Sequence, residues 1–323
     1  MSSDNWDAYW RNAESAAAHK DGGPQDEVLE QFWSGLFDRV LPQLKGECIH
    51  LDIACGNGAV PRFALAARKR LALDSKLQVC GLDDSFAALH EMRRRDPGIL
   101  AISSSAQQLA IANGSVDLVT SQFGIEYAGQ EAFTDMTRVL SQGGVLALVL
   151  HLHDGGIYRE CHANLLAIEA FRDTHLLENF EQLYREVVLN NDNQAEKQKI
   201  QEIDRMFASS VKAVEGILQR WGKGVASETL LRIYRDIGHM YGRLSAYDAD
   251  EMFHWVEVML ADLNSYAGRM SSMLDAALDE TKFEGLVTDL NECGLRPAFK
   301  DRLFFGQQNQ PSAWVLVAEK TGD

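Results

Sequence analysis

The residues best suited to chemistry begin with a glycine-containing turn. Residues 52–58 read DIACGNG and stand between an apolar run and a helical pattern that carries Pro61 in its first turn. Gly56 and Gly58 allow backbone angles that are closed to other residues, and they let a ligand approach the main chain. Because ligands of open α/β sheets bind at the carboxyl ends of strands, this turn predicts a nucleotide-like site.

An acidic loop follows 25 residues after Gly58, where residues 81–85 read GLDDS at the end of a second apolar run. An acidic residue at this place can accept hydrogen bonds from both hydroxyls of a ribose. Asp84 or Ser85 would serve equally well as the N-cap of the following helix. The distance from the glycine turn favours ribose binding by Asp83.

Positioning these two loops requires alternating strands and helices. Apolar runs lie at 48–54, 78–82, 99–103, 116–121 and 144–152, and helical patterns lie at 28–40, 60–73, 86–95 and 131–140. This alternation predicts a mainly parallel sheet with helices on both faces. The uninterrupted apolar run 145–150 predicts a strand buried on both sides. Two strands at 298–306 and 312–319, joined by a polar loop, predict a hairpin that adds an antiparallel strand.

Two more motifs complete an ordered set. Residues 113–119 read NGSVDLV, and residues 138–144 read RVLSQGG. Together with the glycine turn and the acidic loop, they resemble the motifs of the class I S-adenosylmethionine-dependent methyltransferases. The resemblance covers roughly residues 45–153 and, more loosely, 284–319. It implies an α/β, Rossmann-like, doubly wound fold with a mainly parallel sheet and an antiparallel C-terminal strand. It leaves unexplained a large all-helical insert, which the helical patterns between these two regions predict.

The expected domains follow from this match. They are an N-terminal helical cap at 1–47, the S-adenosylmethionine-binding core at 48–153, a helical insert at 154–283, and a C-terminal helix with a hairpin at 284–323. Within the insert, one pattern predicts a helix over 165–189. We interpret the insert as a lid or substrate-binding domain, or as an oligomerisation surface that forms a homodimer.

The resemblance also implies which residues bind S-adenosylmethionine, whose product is S-adenosylhomocysteine. They are Tyr9, Trp10, Asp52, Ala54, Gly56, Gly58, Asp83, Asp84, Ser85, Ser105, Ala106, Gln107, Ser121, Gln122 and Phe123. The family often has an acidic residue for adenine after the third strand. Residues 104–107 read SSAQ instead, so Gln107 or a backbone group is expected to replace it. For Trp6, Tyr9 and Trp10, packing of an N-terminal helix explains the aromatic residues as well as cofactor contact does.

Methyl transfer requires alignment and exclusion of water, and it requires a base only when the nucleophile carries a proton. His151 and His153 alternate at the end of the fifth strand, which predicts that both side chains lie on one face. Imidazole titrates near neutrality and suits a base, although a histidine at a strand end can also be structural. Glu126 is an alternative base or a binder of a cationic amine, and Tyr127 is expected to contact the substrate.

Charge and missing motifs narrow the substrate. The 323 residues hold 31 Lys+Arg against 47 Asp+Glu, a net charge of −16, and residues 151–290 alone carry 14 basic and 24 acidic residues. Such acidity disfavours nucleic acids and anionic membranes. The Asp/Asn-Pro-Pro-Tyr/Phe motif and the Pro-Cys pair of nucleic-acid methyltransferases are absent. A small-molecule methyl acceptor is therefore expected.

The cysteines, the apolar runs and the histidines indicate the cellular compartment and whether a metal site is expected. The five cysteines are scattered without a CxxC pair, which favours reduced thiols in the cytoplasm over disulfides or a zinc site. No apolar run approaches the ~20 residues of a membrane helix, and the polar start predicts no signal peptide. The histidines of the insert lack helical metal-pair spacing, so no metal is expected.

Two other functions compete with a methyltransferase. One is a non-catalytic S-adenosylmethionine-binding protein that regulates or interacts through its helical insert. The other is an NAD-dependent oxidoreductase that uses the glycine turn. Pro61 disfavours the second, because it occupies the place of the third glycine in the dinucleotide fingerprint.

Overall fold

The computed structural model describes residues 6, 9–10, 24–44, 46–73, 76–189, 194–222, 225–305 and 310–321. In this part of the chain a seven-stranded sheet has the order β3-β2-β1-β4-β5-β7-β6. The strands are Cys48–Ile53 (β1), Leu77–Asp83 (β2), Leu100–Ser103 (β3), Val116–Gln122 (β4), Leu140–His151 (β5), Leu295–Phe305 (β6) and Gln310–Lys320 (β7). Strands β1 to β5 are parallel, whereas β7 is antiparallel to β5 and β6. The predicted fold class is confirmed; most of the predicted hairpin loop, at 307–309, lies outside the described residues.

Helices precede, connect and follow these strands. Those described are Pro24–Val40 (α1), Ala59–Arg70 (α2), Phe86–Arg95 (α3), Gln130–Val139 (α4), Gly156–Arg172 (α5), Leu176–Tyr184 (α6), Gln194–Trp221 (α7), Val225–Tyr241 (α8), Ala249–Ala276 (α9) and Glu280–Glu292 (α10). The single helix predicted over 165–189 was wrong. The chain leaves the helical path before α6, where His175 has a left-handed φ of 50° and its N–H bonds back to the carbonyl of Arg172.

Strand β5 forms the centre of the hydrophobic core. Its residues 145–150 are all buried. Leu146, Leu148 and Leu150 pack into the core on one face of the sheet, and Val145, Ala147 and Val149 pack into the core on the other. This alternation of side chains between two covered faces confirms the predicted burial of β5 on both sides.

Helix α1 covers one face of the sheet because its apolar residues recur at helical spacing. Leu29, Trp33, Leu36, Phe37 and Val40 are buried and belong to the same core as the residues of β5 that face it. Trp33 and Phe37 are fully buried. Burial of one large side chain contributes about 1.5–3 kcal/mol, so this stripe fixes α1 on the sheet.

The chain forms two compact units, Met1–Arg159 with Ser272–Asp323, and Glu160–Ser271. The first contains the sheet. The second is helical in its described residues and has an apolar core of its own, in which Phe171, Phe180, Tyr184 and Ile233 are fully buried. No described helix combines the length and apolar character that crossing a membrane would require.

Candidate functional site

The turn after β1 brings the main chain to the carboxyl edge of the sheet. Ala54, Gly56 and Gly58 all have positive φ angles, of 56°, 53° and 88°. A Cβ atom added to Gly58 would lie 2.6 Å from Cγ of Met92, and one added to Gly56 would lie 2.8 Å from the ring of Trp10. Both the backbone angles and the close neighbours therefore demand glycine at these two positions.

The carboxylate of Asp83, at the end of β2, holds this turn in place. Its Oδ2 accepts the backbone N–H of Gly56 at 2.8 Å, and its Oδ1 accepts that of Ser85 at 2.8 Å. Burial raises the pKa of Asp83, while these hydrogen bonds oppose the rise. The neighbouring Asp84 is exposed, and Ser85 caps α3 by accepting the N–H of Ala88. Asp84 thus keeps its carboxylate available to a ligand.

A buried polar chain runs between β1 and β4. Thr120 Oγ1 donates to Oδ1 of Asp52 at 2.5 Å and lies 2.8 Å from Nε2 of His50. Since the hydroxyl donates its hydrogen to the carboxylate, the imidazole donates from Nε2. Burial lowers the pKa of His50 to about 3, so the ring is neutral at neutral pH. Burial raises the pKa of Asp52 well above its usual value, and the charge of Asp83 adds to the rise, whereas the hydrogen bond from Thr120 opposes it.

A cavity of about 320 Å³ opens at the carboxyl ends of β1, β2, β3 and β4. Its volume lies in the range of small-molecule sites. The lining residues are Trp6, Trp10, Ala54, Cys55, Gly56, Asn57, Ala59, Leu82, Asp83, Asp84, Ser85, Ser104, Ser105, Ala106, Gln107, Gln122, Phe123, Gly124, Tyr127 and Ala128. These described lining residues include two carboxylates and no Lys or Arg.

Most residues expected to bind the cofactor meet at this cavity. Those that line it are Trp10, Ala54, Gly56, Asp83, Asp84, Ser85, Ser105, Ala106, Gln107, Gln122 and Phe123, together with Tyr127. Gln107, the expected substitute for the adenine-binding acid, donates its amide to the carbonyl of Ala128 at 3.1 Å. Its side chain therefore ties the loop after β3 to the turn after β4.

The structure places four expected cofactor residues outside the cavity wall: Tyr9, Asp52, Gly58 and Ser121. Asp52 is buried in the polar chain already described, and Gly58 packs on Met92. The Ser121 hydroxyl donates to the carbonyl of Ile53 at 2.7 Å and accepts the N–H of Ile125. These three residues shape the turns that form the wall.

The N-terminal aromatic residues are adjacent to each other and to the cavity. The ring of Tyr9 lies edge-on to Trp10 at 4.9 Å and to Trp6 at 6.0 Å. Trp6 also meets Tyr127 edge-on at 5.8 Å. Of the three aromatic residues for which the sequence left cofactor contact open, Trp6 and Trp10 line the cavity and Tyr9 does not.

Glu126 and His151 form a buried pair behind two aromatic residues of the wall. Glu126 Oε1 lies 2.7 Å from Nδ1 of His151 and accepts the backbone N–H of His151 at 3.0 Å. The two side chains are 1% and 4% exposed. Phe123 and Tyr127 lie against the imidazole, with ring centroids 4.5 Å and 5.7 Å away. The carboxylate makes Nδ1 the protonated nitrogen, which leaves the lone pair on Nε2.

The structure gives His151 and His153 different surroundings. Strand β5 ends at His151, Leu152 forms an isolated bridge with Leu278, and the N–H of Gly155 bonds to the carbonyl of Leu152. His153 is half-exposed and lies beside Asp154 and Tyr158. It is absent from the cavity wall. That both side chains lie on one face stays a prediction.

Sequence reasoning missed Trp33, which supports the cavity from outside its wall. Its indole Nε1 donates to Oε1 of Gln122 at 2.6 Å. The two residues are 89 positions apart, and the spacing of apolar residues in α1 predicts only that Trp33 is buried. Among the described residues, no group of three or more His, Cys, Asp or Glu side chains could hold a metal ion.

Comparison with known proteins adds to this geometry. Residues 51–148 match the family described as "Methyltransferase domain". The chain is 30% identical over 112 residues to a ubiquinone/menaquinone biosynthesis C-methyltransferase, UbiE, of Campylobacter jejuni, a match that covers 33% of this chain and 46% of that protein. It is 29% identical over 153 residues to a demethylmenaquinone methyltransferase of Renibacterium salmoninarum, covering 44% and 61%. The chain thus spans about half the length of the curated relatives it matches.

Among solved structures, a SAM-dependent methyltransferase from Aquifex aeolicus aligns over 92% of this chain and 97% of its own. The sequence identity is 10% and the TM-score is 0.40.

Proposed function

We propose, from the premise that the core of this chain is a class I S-adenosylmethionine-dependent methyltransferase domain, that the protein transfers a methyl group to an O, N or C nucleophile of a small molecule. One observation carries the proposal. A single cavity has the glycine turn and acidic loop on one side, and on the other an aromatic wall backed by the Glu126–His151 pair.

The residues of the cavity fit the cofactor. The turn at Gly56 brings the main chain to the wall, and Asp84 keeps an exposed carboxylate for ribose hydroxyls. The sequence favoured Asp83 for this role, but each of its oxygens already accepts a backbone N–H. Ser105 to Gln107 stand beside the acidic loop, since β3 pairs with β2, and they would meet the adenine. Because β1 and β4 follow β2 in the sheet, the methionine part of the cofactor would extend from β2 past the end of β1 to the end of β4.

S-Adenosylmethionine supplies an electrophilic methyl group on its sulfonium. Phe123, Tyr127 and Trp6 provide apolar surface that excludes water from that end of the cavity. His151 is the candidate base, because Glu126 holds its Nδ1–H and no described residue hydrogen-bonds Nε2. When the acceptor carries a proton, Nε2 would take it as the acceptor bonds to the methyl carbon, and the carbon–sulfur bond would break to release S-adenosylhomocysteine.

A carbon acceptor is the favoured case among the three nucleophiles. The relatives with the highest sequence similarity given above are named as a C-methyltransferase and a demethylmenaquinone methyltransferase. Methylation that replaces hydrogen on carbon releases a proton before or after the new bond forms, so such a reaction would use the base beside the cavity. The net charge of −16 supports a small molecule over a nucleic acid.

The first experiment is ligand binding by thermal shift with S-adenosylhomocysteine, S-adenosylmethionine and NAD(H). A ligand at ~100 times its dissociation constant adds roughly 2.7 kcal/mol of stability. We expect stabilisation by the two sulfur compounds alone. Stabilisation by NAD(H) alone would contradict the proposal and support an oxidoreductase.

The second experiment measures transfer of labelled methyl groups to panels of enols, phenols, amines and carboxylic acids. We expect one class to be labelled by the wild type, and the His151→Asn variant to bind S-adenosylhomocysteine without transferring the label. Binding without transfer to any acceptor would favour a regulatory S-adenosylmethionine-binding protein instead.

A further inference from the structure

The orientation of one amide in the cavity wall is set from outside the wall. Gln122 is the last residue of β4 and lines the cavity. The indole of Trp33, a fully buried residue of α1, lies 2.6 Å from its Oε1. An indole N–H can only donate, so the amide oxygen must face it. The NH2 group of Gln122 is consequently left to donate elsewhere, and no described residue accepts from it.

The charges of the cavity wall indicate what this NH2 group would bind. Two carboxylates of the wall, Asp83 and Asp84, stand at the β2 end, and the described residues of the wall include no Lys or Arg. A ligand carboxylate is repelled from that end. It is drawn across β1 towards the end of β4, where Gln122 offers a neutral donor. A hydrogen bond to a charged oxygen is stronger than one between neutral groups.

We propose that Gln122 donates its amide N–H to the carboxylate of the methionine part of S-adenosylmethionine, and that Trp33 is the positioning residue that fixes this donor. The assignment rests on the proposed function, because it assumes that this cofactor occupies the cavity. It gives the amino-acid end of the ligand a donor in a wall whose described residues include no cationic side chain. It also gives a role to a buried indole far from the glycine motif.

The test compares two ligands by isothermal titration calorimetry of the full chain. S-Adenosylhomocysteine carries the carboxylate, whereas 5′-methylthioadenosine has the same nucleoside thioether without the amino-acid chain. Gln122→Met keeps the length of the side chain and removes the donor. We expect it to weaken S-adenosylhomocysteine binding about tenfold or more, as loss of a hydrogen bond to a charged group does. Binding of 5′-methylthioadenosine should change less than about twofold.

Trp33→Phe keeps a buried ring and removes the N–H. Like Gln122→Met, it should lower the ratio of the affinity for S-adenosylhomocysteine to the affinity for 5′-methylthioadenosine. Added to Gln122→Met, it should lower this ratio no further. Phe283→Leu is the matched control: Phe283 is another fully buried aromatic residue, in α10 and in the core on the other face of the sheet, and its loss should leave the ratio unchanged. Because the ratio is internal to each variant, a general loss of stability does not imitate the effect.

The outcomes separate this assignment from the proposed function. Failure of the wild type to bind S-adenosylhomocysteine contradicts both. If the wild type binds S-adenosylhomocysteine and Gln122→Met leaves the affinity ratio of the two ligands unchanged, the assignment alone is overturned. Gln122 would then be available to donate to an oxygen of the methyl acceptor.

Discussion

Gly124 lies directly against Ala54, so that the turns after β4 and β1 share the space of a single methyl group. A Cβ on Gly124 would stand 2.5 Å from Cβ of Ala54 and 3.0 Å from its carbonyl oxygen. Ala54 itself has a left-handed φ of 56°, and so does Phe123, at 53°. Such backbone angles cost about 1–3 kcal/mol each and persist where the surroundings impose them. The two turns therefore hold each other in the conformation that forms the cavity wall.

Gly124→Ala should consequently disrupt the site. The new methyl group meets backbone as well as side-chain atoms, so relaxation requires the glycine turn to move. We expect a loss of about 1–3 kcal/mol in the free energy of unfolding, with weaker S-adenosylhomocysteine binding, measured by urea denaturation and calorimetry. Ala54→Gly in the same chain should restore part of both, since it removes the closest of the two contacts.

Gly35→Ala is the control for this prediction. Gly35 lies in α1 with nothing within 4 Å of an added Cβ, and alanine in a helix is favoured over glycine by roughly 0.5–1 kcal/mol. This variant should be as stable as the wild type or more stable. A Gly124→Ala chain that matched it would disprove the shared space between the two turns.

Asp83 and Asp84 are neighbours with different expected roles. Asp83→Asn replaces one of two oxygens that accept backbone N–H groups, so it should cost about 1–3 kcal/mol of stability and weaken the cofactor site. Asp84→Asn should change the free energy of unfolding by less than about 0.5 kcal/mol, as exposed substitutions do. It should still weaken the binding of S-adenosylhomocysteine. Urea denaturation and calorimetry on both variants check this. Equal losses of stability would show that Asp84 also holds the turn.

His50 makes stability depend on pH. Its pKa is about 3 in the folded chain because of burial, against ~6.5 in an unfolded one. Below pH 6.5 His50 binds a proton in the unfolded chain but stays neutral in the folded one. The folded chain therefore loses stability as the pH falls below that value. Between pH 7 and pH 5 the loss amounts to about 2 kcal/mol.

The variant His50→Gln, which keeps a donor for Thr120, removes this contribution. The raised pKa of Asp52 acts in the opposite direction, and it acts in both chains. We therefore expect the wild type to lose about 2 kcal/mol more than the variant between pH 7 and pH 5, as measured by urea denaturation at each pH. Parallel pH curves for the two chains would show that His50 accepts a proton in the folded state.

The sequence could predict what depends on local order, and it could not predict what depends on register. The glycine turn, the acidic loop and the two-sided burial of β5 follow from residue types along short stretches. The contact between Thr120 and Asp52 requires β1 and β4 to pair at those positions, and the hydrogen bond from Trp33 to Gln122 requires α1 to dock on that part of the sheet. The different surroundings of His151 and His153 depend on the aromatic residues that pack beside each ring, Phe123 and Tyr158, which the order of residues in β5 does not show.

The Glu126–His151 pair gives the most direct test of catalysis. With the acceptor found by the labelling panel, His151→Asn should lower kcat by about 10²–10⁴, the usual contribution of a positioned base. Affinity for S-adenosylhomocysteine should be unchanged, because neither residue lines the cavity. Glu126→Gln should also lower kcat, since the imidazole loses the carboxylate that holds its Nδ1–H. His153→Asn is the matched control, and the loss of its half-exposed ring should leave kcat as in the wild type. A His151→Asn enzyme with the wild-type rate would show that the acceptor gives up no proton to His151. A rate loss in His153→Asn alone would indicate that His153 is the base.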